Sequence, residues 1–397
     1  MVRARHLHIR VSVDPHSIPD VNPNPNPNPD PNPNLNPNPN RYGVRALECL
    51  TADDAKVLKL GASKIKAFKG TLSSRAIGNA LYGLADVTAE ADGVIELVEA
   101  LTANLENFDG DLNGQDIGIG LYGMQGLSSD EPAVRKLMSV MAAKIEATET
   151  EMDQQAIGNA LYGLQSMCSD YAESRQLVSA LATKIGESVQ DMCAKSVGSA
   201  AFGLQRMTSD SYEVRSLLNS LAERIDASAF EMDSQAVGSA LYGLQNMKSD
   251  VPEVRTLVHA LSNKIQSSSS LELDNRGASM ALYGMNSMNS DQPQVRTLMT
   301  TMTNLIKRSK LKLTGQFVAD ALYGIRNMNF DCPELRALLA AIADGIDSSV
   351  GKLEAIELSN ALNGFQGVSS EMYEARLLAS KLADKMQRSK VTLRSQA

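Results

Sequence analysis

The chain contains no tryptophan, and aromatic residues occupy only 4% of its 397 positions. A large globular core built on ring packing is therefore not expected, and small and aliphatic side chains must do the packing. Histidine is also scarce. Three of the four lie at positions 6, 8 and 16 and the fourth is His259, which stands alone and reads as a structural histidine. The four cysteines, Cys49, Cys168, Cys193 and Cys332, show no CxxC spacing. Scattered thiols of this kind fit a reducing, intracellular compartment and not a disulfide framework or a zinc site. GxSxG, GxxxxGK[ST] and HExxH are absent, and the recurrent acids fall where helix caps are expected. The expectation is a protein that is not an enzyme, with no cofactor and no small-molecule substrate. No apolar run is long enough for a membrane span, so no membrane partner is expected either.

Positive charge is in deficit as well. The formal charge is -8 and the sequence pI about 5.2, which argues against a generally basic nucleic-acid surface. The imbalance is uneven. Residues 41–293 carry 21 basic and 33 acidic side chains, residues 294–397 carry 14 and 10. A polyanion would favour the C-terminal end. The start, MVRARHLHIRVSV, has three arginines and no acid before Asp14. It reads either as an organellar transit peptide, for mitochondrion or plastid, or as a plain basic N-terminus.

Residues 22–40 read NPNPNPNPDPNPNLNPNPN. Proline at alternate positions removes amide donors and fixes φ, so residues 1–40 are expected to form an extended or disordered Asn-Pro-rich tail. After Asn40 a period appears. The phrase ALYGL or a close variant places glycine at 83, 123, 163, 203, 243, 284, 324 and 364, and Tyr42-Gly43 falls on the same beat. The prediction is an all-α fold: an α-solenoid of about eight 40-residue two-helix repeats over 41–397, with a truncated unit at 41–71 and eight units to about 392. The last residues, LRSQA, match the opening of a further unit, and neither end has a distinct polar capping repeat, so the chain is expected to be part of a longer array.

Each unit resolves into two helices. In residues 232–247 Asp233 is the expected N-cap, with Ser73, Asn113, Asp153, Asp274 and Thr314 in the same slot elsewhere. The slot before it is always Leu or Met, as a hydrophobic staple requires. The second helix is expected to open at a Ser-Asp pair, with Asp250 capping and Glu253 completing a capping box. Pro132, Pro252, Pro293 and Pro333 then stand in the first turn, where a missing N–H costs nothing. The ALYGL glycine reads as a mid-helix residue retained for close helix–helix approach, beside a nearly bare ridge of Ala156, Ala160 and Gly163.

A polar stripe on the first helix is not explained by the core. One slot holds Arg75, Gln115, Gln155, Lys195, Gln235, Arg276 and Gln316; a turn later come Asn79, Asn159, Ser199, Ser239, Asp320 and Asn360, followed by a ring that is Tyr in six units. These side chains share a face. They either read bases of single-stranded RNA, one per repeat, with bases stacked on the tyrosines, or clasp an extended peptide, or serve the array itself, Gln satisfying amides near the helix start, Asn or Ser bridging adjacent units and Tyr packing between repeats. An arginine recurs on the second helix (Arg135, Arg175, Arg215, Arg255, Arg296, Arg336, Arg376); it either binds phosphates or, as expected here, pairs with a cap carboxylate of its own or the adjacent unit. The basic run Lys307, Arg308, Lys310 and Lys312 is placed in an inter-repeat loop, as a polyanion contact or a solvated run.

The unit opening S-Q-A-[IV]-G-[NS]-A-L-Y-G-L resembles the octotricopeptide and heptatricopeptide repeats of organellar RNA-metabolism proteins. In those slots stand Gln155, Asn159, Tyr162 and Gly163, with Tyr where Trp is usual. The resemblance covers about 350 residues and implies a non-enzymatic scaffold that binds RNA through the first helices. The alternative is a scaffold for protein partners, which the net negative charge favours.

Overall fold

The computed structural model describes residues 52–347 apart from 310, 312–314 and 330, together with 365 and 372–389. The expected tail, the opening of the truncated unit at 41 and the last residues fall outside the described residues. All sixteen described elements are helices. They are α1 (Ala52–Ala67), α2 (Ser74–Tyr82), α3 (Val94–Glu106), α4 (Gly114–Tyr122), α5 (Pro132–Ala147), α6 (Gln154–Tyr162), α7 (Ala172–Glu187) and α8 (Ala194–Phe202). There follow α9 (Tyr212–Ala227), α10 (Ser234–Tyr242), α11 (Pro252–Ser267), α12 (Asn275–Tyr283), α13 (Pro293–Ser309), α14 (Gly315–Ile325), α15 (Pro333–Asp347) and α16 (Tyr373–Ser389).

The packing makes two layers. The short first helices of the units, α2 to α14 by even number, stack on one another; the longer second helices, α1 to α15 by odd number and then α16, stack in a parallel row. This is an α-solenoid. A nine-residue helix such as α6 is far below the length that holds in water, so its stability comes from packing. The apolar stripe supplies it: Ile157, Leu161, Leu164 and Met167 from one layer meet Leu177, Val178, Leu181 and Ile185 from the other, all fully buried. One continuous cluster of such side chains runs from Leu58 to Leu382.

Ser73, Asn113, Asp153, Asp233 and Asp274 each accept a hydrogen bond from the backbone N–H three residues on, as expected of N-caps. The staple residues Leu112, Met152, Met192, Met232 and Leu273 are buried, and the N–H there is taken by the end of the same unit's second helix: Met192 N–H donates to Ser228 Oγ and Met232 N–H to Ser268 Oγ, both at 2.7 Å. The four prolines are the first residues of α5, α11, α13 and α15.

Three expectations need correcting. Asp250 is not a cap: α11 begins at Pro252 with Val251 as N-cap and no side-chain capping bond. The Ser-Asp pair instead offers its carbonyls to the recurrent arginine. Arg255 donates to Ser249 O at 3.1 Å and Asp250 O at 2.6 Å, and Arg135, Arg175, Arg215 and Arg296 repeat this. Carboxylate pairing is secondary, at 3.9 Å from Arg175 Nε to Glu213 and from Arg215 Nε to Glu253. Second, the ALYGL glycine is a C-cap at 83, 123, 163, 203, 243 and 284, where the first helix ends at the preceding aromatic, and lies within the helix, as expected, only at Gly324 of α14 among the described residues. Third, Lys307 and Arg308 lie in the last turn of α13 and not in a loop. Arg308 donates to Leu271 O, the role that Lys184 performs on Thr148 O at 2.5 Å and Lys264 on Ser228 O. A cation in that place also suits the negative end of the helix.

Close approach is nonetheless what the glycines serve. A Cβ on Gly163 would overlap the Leu121 carbonyl of the preceding unit, and Gly203, Gly243 and Gly324 would meet Leu161, Ala201 and Leu282 in the same way. On the opposite flank a Cβ on Gly118 would lie 2.7 Å from Ala156 Cα, and one on Gly198 3.0 Å from Ala236 Cα. Gly163→Ala is expected to lower stability by about 3 kcal/mol, since the obstacle is backbone. Gly186→Ala, on the exposed side of α7 where the nearest atom is the Ser220 hydroxyl at 3.3 Å, should be neutral or stabilising by up to about 1 kcal/mol. Urea unfolding midpoints of the two variants check the contrast.

Candidate nucleic-acid interface

Each first helix from α4 to α12 buries three of its sides, two against neighbouring first helices and one against the core, and leaves one open. On α6 the open side carries Gln155, Asn159 and Tyr162. Among the described residues Arg75, Gln115, Gln155, Lys195, Gln235 and Arg276 are all exposed, and none of these side chains has a hydrogen bond or ion pair within the chain. The glutamines of this row thus do not satisfy amides near the helix start, the structural part considered for them. Gln316 lies on α14, while Asn360, Lys310 and Lys312 fall outside the described residues.

The second slot is mixed. Asn79 is exposed, Asn159, Ser199 and Ser239 are half-buried, and Asp320 is buried. Ile119 and Met280 occupy the slot in the other two units, and Met280 packs with Tyr242 and Tyr283 as a small apolar cluster on this face. Fixed charge here is mainly positive despite the acidic chain. Arg75, Lys195, Arg206 and Arg276 stand exposed along the face against Asp86, while Arg326 lies 3.6 Å from the centre of the Tyr323 ring.

The aromatic slot behaves differently from a base-stacking platform. Tyr82, Tyr122, Tyr162, Phe202, Tyr242, Tyr283 and Tyr323 form one pile, with centroid distances of 5.8, 5.5, 5.6, 5.6, 5.6 and 4.9 Å and rings within 26° of parallel. Each inner ring has both faces covered by its neighbours, so a ligand meets only ring edges. Such offset pairs add roughly 0.5–1.5 kcal/mol each beyond area burial.

Beside the pile runs a second ladder that sequence reasoning passed over. Gln165 Nε2 donates to Gln125 Oε1 at 3.2 Å, and Gln205 Nε2 to Gln165 Oε1 at 3.5 Å. Residues one place further along bond across units too: Ser166 Oγ to Gln125 O at 2.9 Å, Asn246 Nδ2 to Gln205 O at 2.7 Å, Asn327 Nδ2 to Asn286 O at 2.7 Å. The buried serine of each Ser-Asp pair accepts from the next unit, as Ser209 does from Lys248 N–H at 3.0 Å. The signal for the ladder was the glutamine three residues after the aromatic, on the same beat as the glycine.

Nothing in the described residues resembles a reaction centre. No group of His, Cys, Asp and Glu there is arranged to hold a metal, and no helix is long and apolar enough to cross a membrane. His259 is exposed with Asn263 Nδ2 3.3 Å away. Cys168, Cys193 and Cys332 are free and half-buried. Burial pushes the Cys168 and Cys332 thiols up, away from the reactive thiolate.

Burial, followed by the neighbouring phenols, raises the Tyr122 hydroxyl from 10.0 to about 12, and burial also raises Tyr162 and Tyr283. Because the folded pKa lies above the unfolded one, the folded state holds the phenol proton more tightly. The array should therefore keep its stability below about pH 10 and lose it progressively as the pH approaches 12. Tyrosinate absorbance followed together with helical circular dichroism checks this; ionisation of all tyrosines near pH 10 with helicity intact would contradict it.

No family model matches the chain, and neither does any curated protein. Among solved structures, yeast Rmd9p in complex with a 16-nucleotide target RNA is similar over 79% of this chain and 79% of that one, at 9% identity and a TM-score of 0.20. A likeness of that degree adds nothing to the geometry above.

Proposed function

We propose that the chain is a non-enzymatic scaffold that binds single-stranded RNA along the open side of its first helices. The observation that carries this reading is the row Arg75, Gln115, Gln155, Lys195, Gln235 and Arg276: exposed donors at one per unit, with no partner among the described residues. Amide and guanidinium groups offer what base edges and phosphates accept. With the ring faces occupied, bases are read at their edges by this row and its neighbours Asn79 and Asn159, not by stacking on tyrosine. Unit spacing at the ring pile, 4.9 to 5.8 Å, exceeds the roughly 3.4 Å per nucleotide of a stacked B-form strand. A strand taking one nucleotide per unit is thus drawn out of its stack, which disfavours a duplex. Gln316, Asn360, Lys307, Arg308, Lys310 and Lys312 extend the reading toward the more basic C-terminal end. The octotricopeptide or heptatricopeptide type, and with it a mitochondrial or plastid location, is the assignment most in keeping with Gln155, Asn159, Tyr162 and Gly163.

A protein scaffold is the second reading. It is favoured by the acids exposed where second helices lead into first ones, Asp109, Asp111, Glu149, Glu151, Asp191 and Glu231, an edge suited to a basic polypeptide.

Anisotropy titrations with a labelled random single strand and the matching duplex separate the two. RNA binding should favour the single strand and weaken steeply with salt. Gln155→Ala with Asn159→Ala should reduce affinity about tenfold, roughly 1.4 kcal/mol, with helicity unchanged. Lys195→Ala with Arg276→Ala should lower the slope of log K against log salt by about 0.7 for each phosphate that is no longer neutralised. No retention of RNA even at low salt would leave the protein-scaffold reading in its place.

A further inference from the structure

The row on the open side of the first helices is not uniform. Arg75, Lys195 and Arg276 carry a positive charge, while Gln115, Gln155 and Gln235 carry a neutral amide in the same slot. All six are exposed. A phosphate backbone is the same at every nucleotide, so a row that only held phosphates would gain nothing from its three amides. A row that varies suits the part of a strand that varies, which is the base.

The two kinds of side chain ask for different edges. A guanidinium or an ammonium only donates. It is best met by two adjacent acceptors, which guanine offers at O6 and N7; adenine sets its N6 donor beside N7, and the pyrimidines have no N7. A glutamine amide both donates and accepts. It needs a donor beside an acceptor, an arrangement that every base presents on its Watson–Crick edge, so it discriminates little. The next slot on the helix holds Asn79, Ile119, Asn159, Ser199, Ser239 and Met280, so neither slot contains an acid from α2 to α12. A carboxylate is what would accept from the cytosine N4 amine.

Register is kept along the row. The first helices from α2 to α12 are all nine residues long, with the slot at the second residue of each. The extra residue of the one 41-residue unit falls between the end of α11 at Ser267 and the start of α12 at Asn275. The Tyr242 and Tyr283 rings remain 5.6 Å apart, as the Phe202 and Tyr242 rings are. Arg276 therefore stands in line with the other five, and the cations occupy the first, fourth and sixth places of the row.

We propose, resting on the single-strand reading above, that Arg75, Lys195 and Arg276 select guanine. The array then prefers a strand with guanine at the first, fourth and sixth of six consecutive nucleotides, and the amide units between accept any base. Four RNA hexamers test this in competition at one salt concentration. They are GAAGAG, the reversed order GAGAAG (the row does not set strand polarity), GGGAAA of the same composition, and AAAAAA. One of the first two should bind roughly tenfold more tightly than GGGAAA, and AAAAAA should bind least. The Lys195 side chain is exposed with no partner among the described residues, so Lys195→Gln should keep its helicity. In that variant the strand with adenine in place of the guanine facing position 195 should bind as well as the preferred strand, while guanine is still favoured at the two outer places. Equal affinity for all four hexamers overturns the base assignment and leaves RNA binding standing. So does a loss in Lys195→Gln that is the same for every strand, which would make the cations phosphate contacts. Absence of binding to any hexamer at low salt overturns the RNA reading itself, and the assignment with it.

Discussion

Backbone meeting backbone between successive first helices is the contact on which the other features rest. Glycines on both flanks, Gly118 or Gly158 on one and Gly163 or Gly203 on the other, bring helices together at a separation where an added Cβ would crowd a Cα or a carbonyl oxygen. That separation sets the distance between equivalent atoms of neighbouring units. Rings one unit apart then fall within stacking distance, amides of Gln125, Gln165 and Gln205 within hydrogen-bond reach, and apolar stripes too narrow to fold alone merge into one core. Side chains in the first layer repeat what the backbone has already brought into line.

The same spacing divides the surface of the first layer into parts with different tasks. Polar groups that look outward but reach the next unit, such as Ser166, Asn246 and Asn327, are used up in holding the array. Among the described residues the slot of Gln155 and its counterparts is left unengaged. An acidic protein can therefore present a face with few acids: its carboxylates gather at caps, at the Ser-Asp turns and at the opposite edge. On the proposed reading net charge is a poor guide, because the relevant quantity is the charge of one row.

Much of this architecture was legible from residues alone, because periodicity is a strong signal and because caps and prolines have local causes. The forty-residue beat, the Asp153 and Asp233 caps and the prolines at the head of second helices all depend on neighbours within a few residues. What escaped depended on contacts between units. Asp250 has the right side chain for a cap, but the carbonyls beside it are claimed by Arg255, and the helix starts two residues later. The glycine in ALYGL sits in an apolar periodic run that does not reveal where the helix stops. Arg308 looked like a free cation because its partner, the Leu271 carbonyl, lies 37 residues away. Of the two readings of the tyrosines, a surface for bases or packing between repeats, the second is what the ring pile shows.

The slot occupied by Gln155 touches nothing that holds the protein together. Exchanging the residue there leaves the neighbouring contacts as they were, so on the proposed reading recognition and foldedness are free to vary independently. Duplicating a whole unit, by the same logic, adds one more presented group and one more copy of an already compatible seam. An array of this design can lengthen or change its preference in single steps without passing through an unstable intermediate.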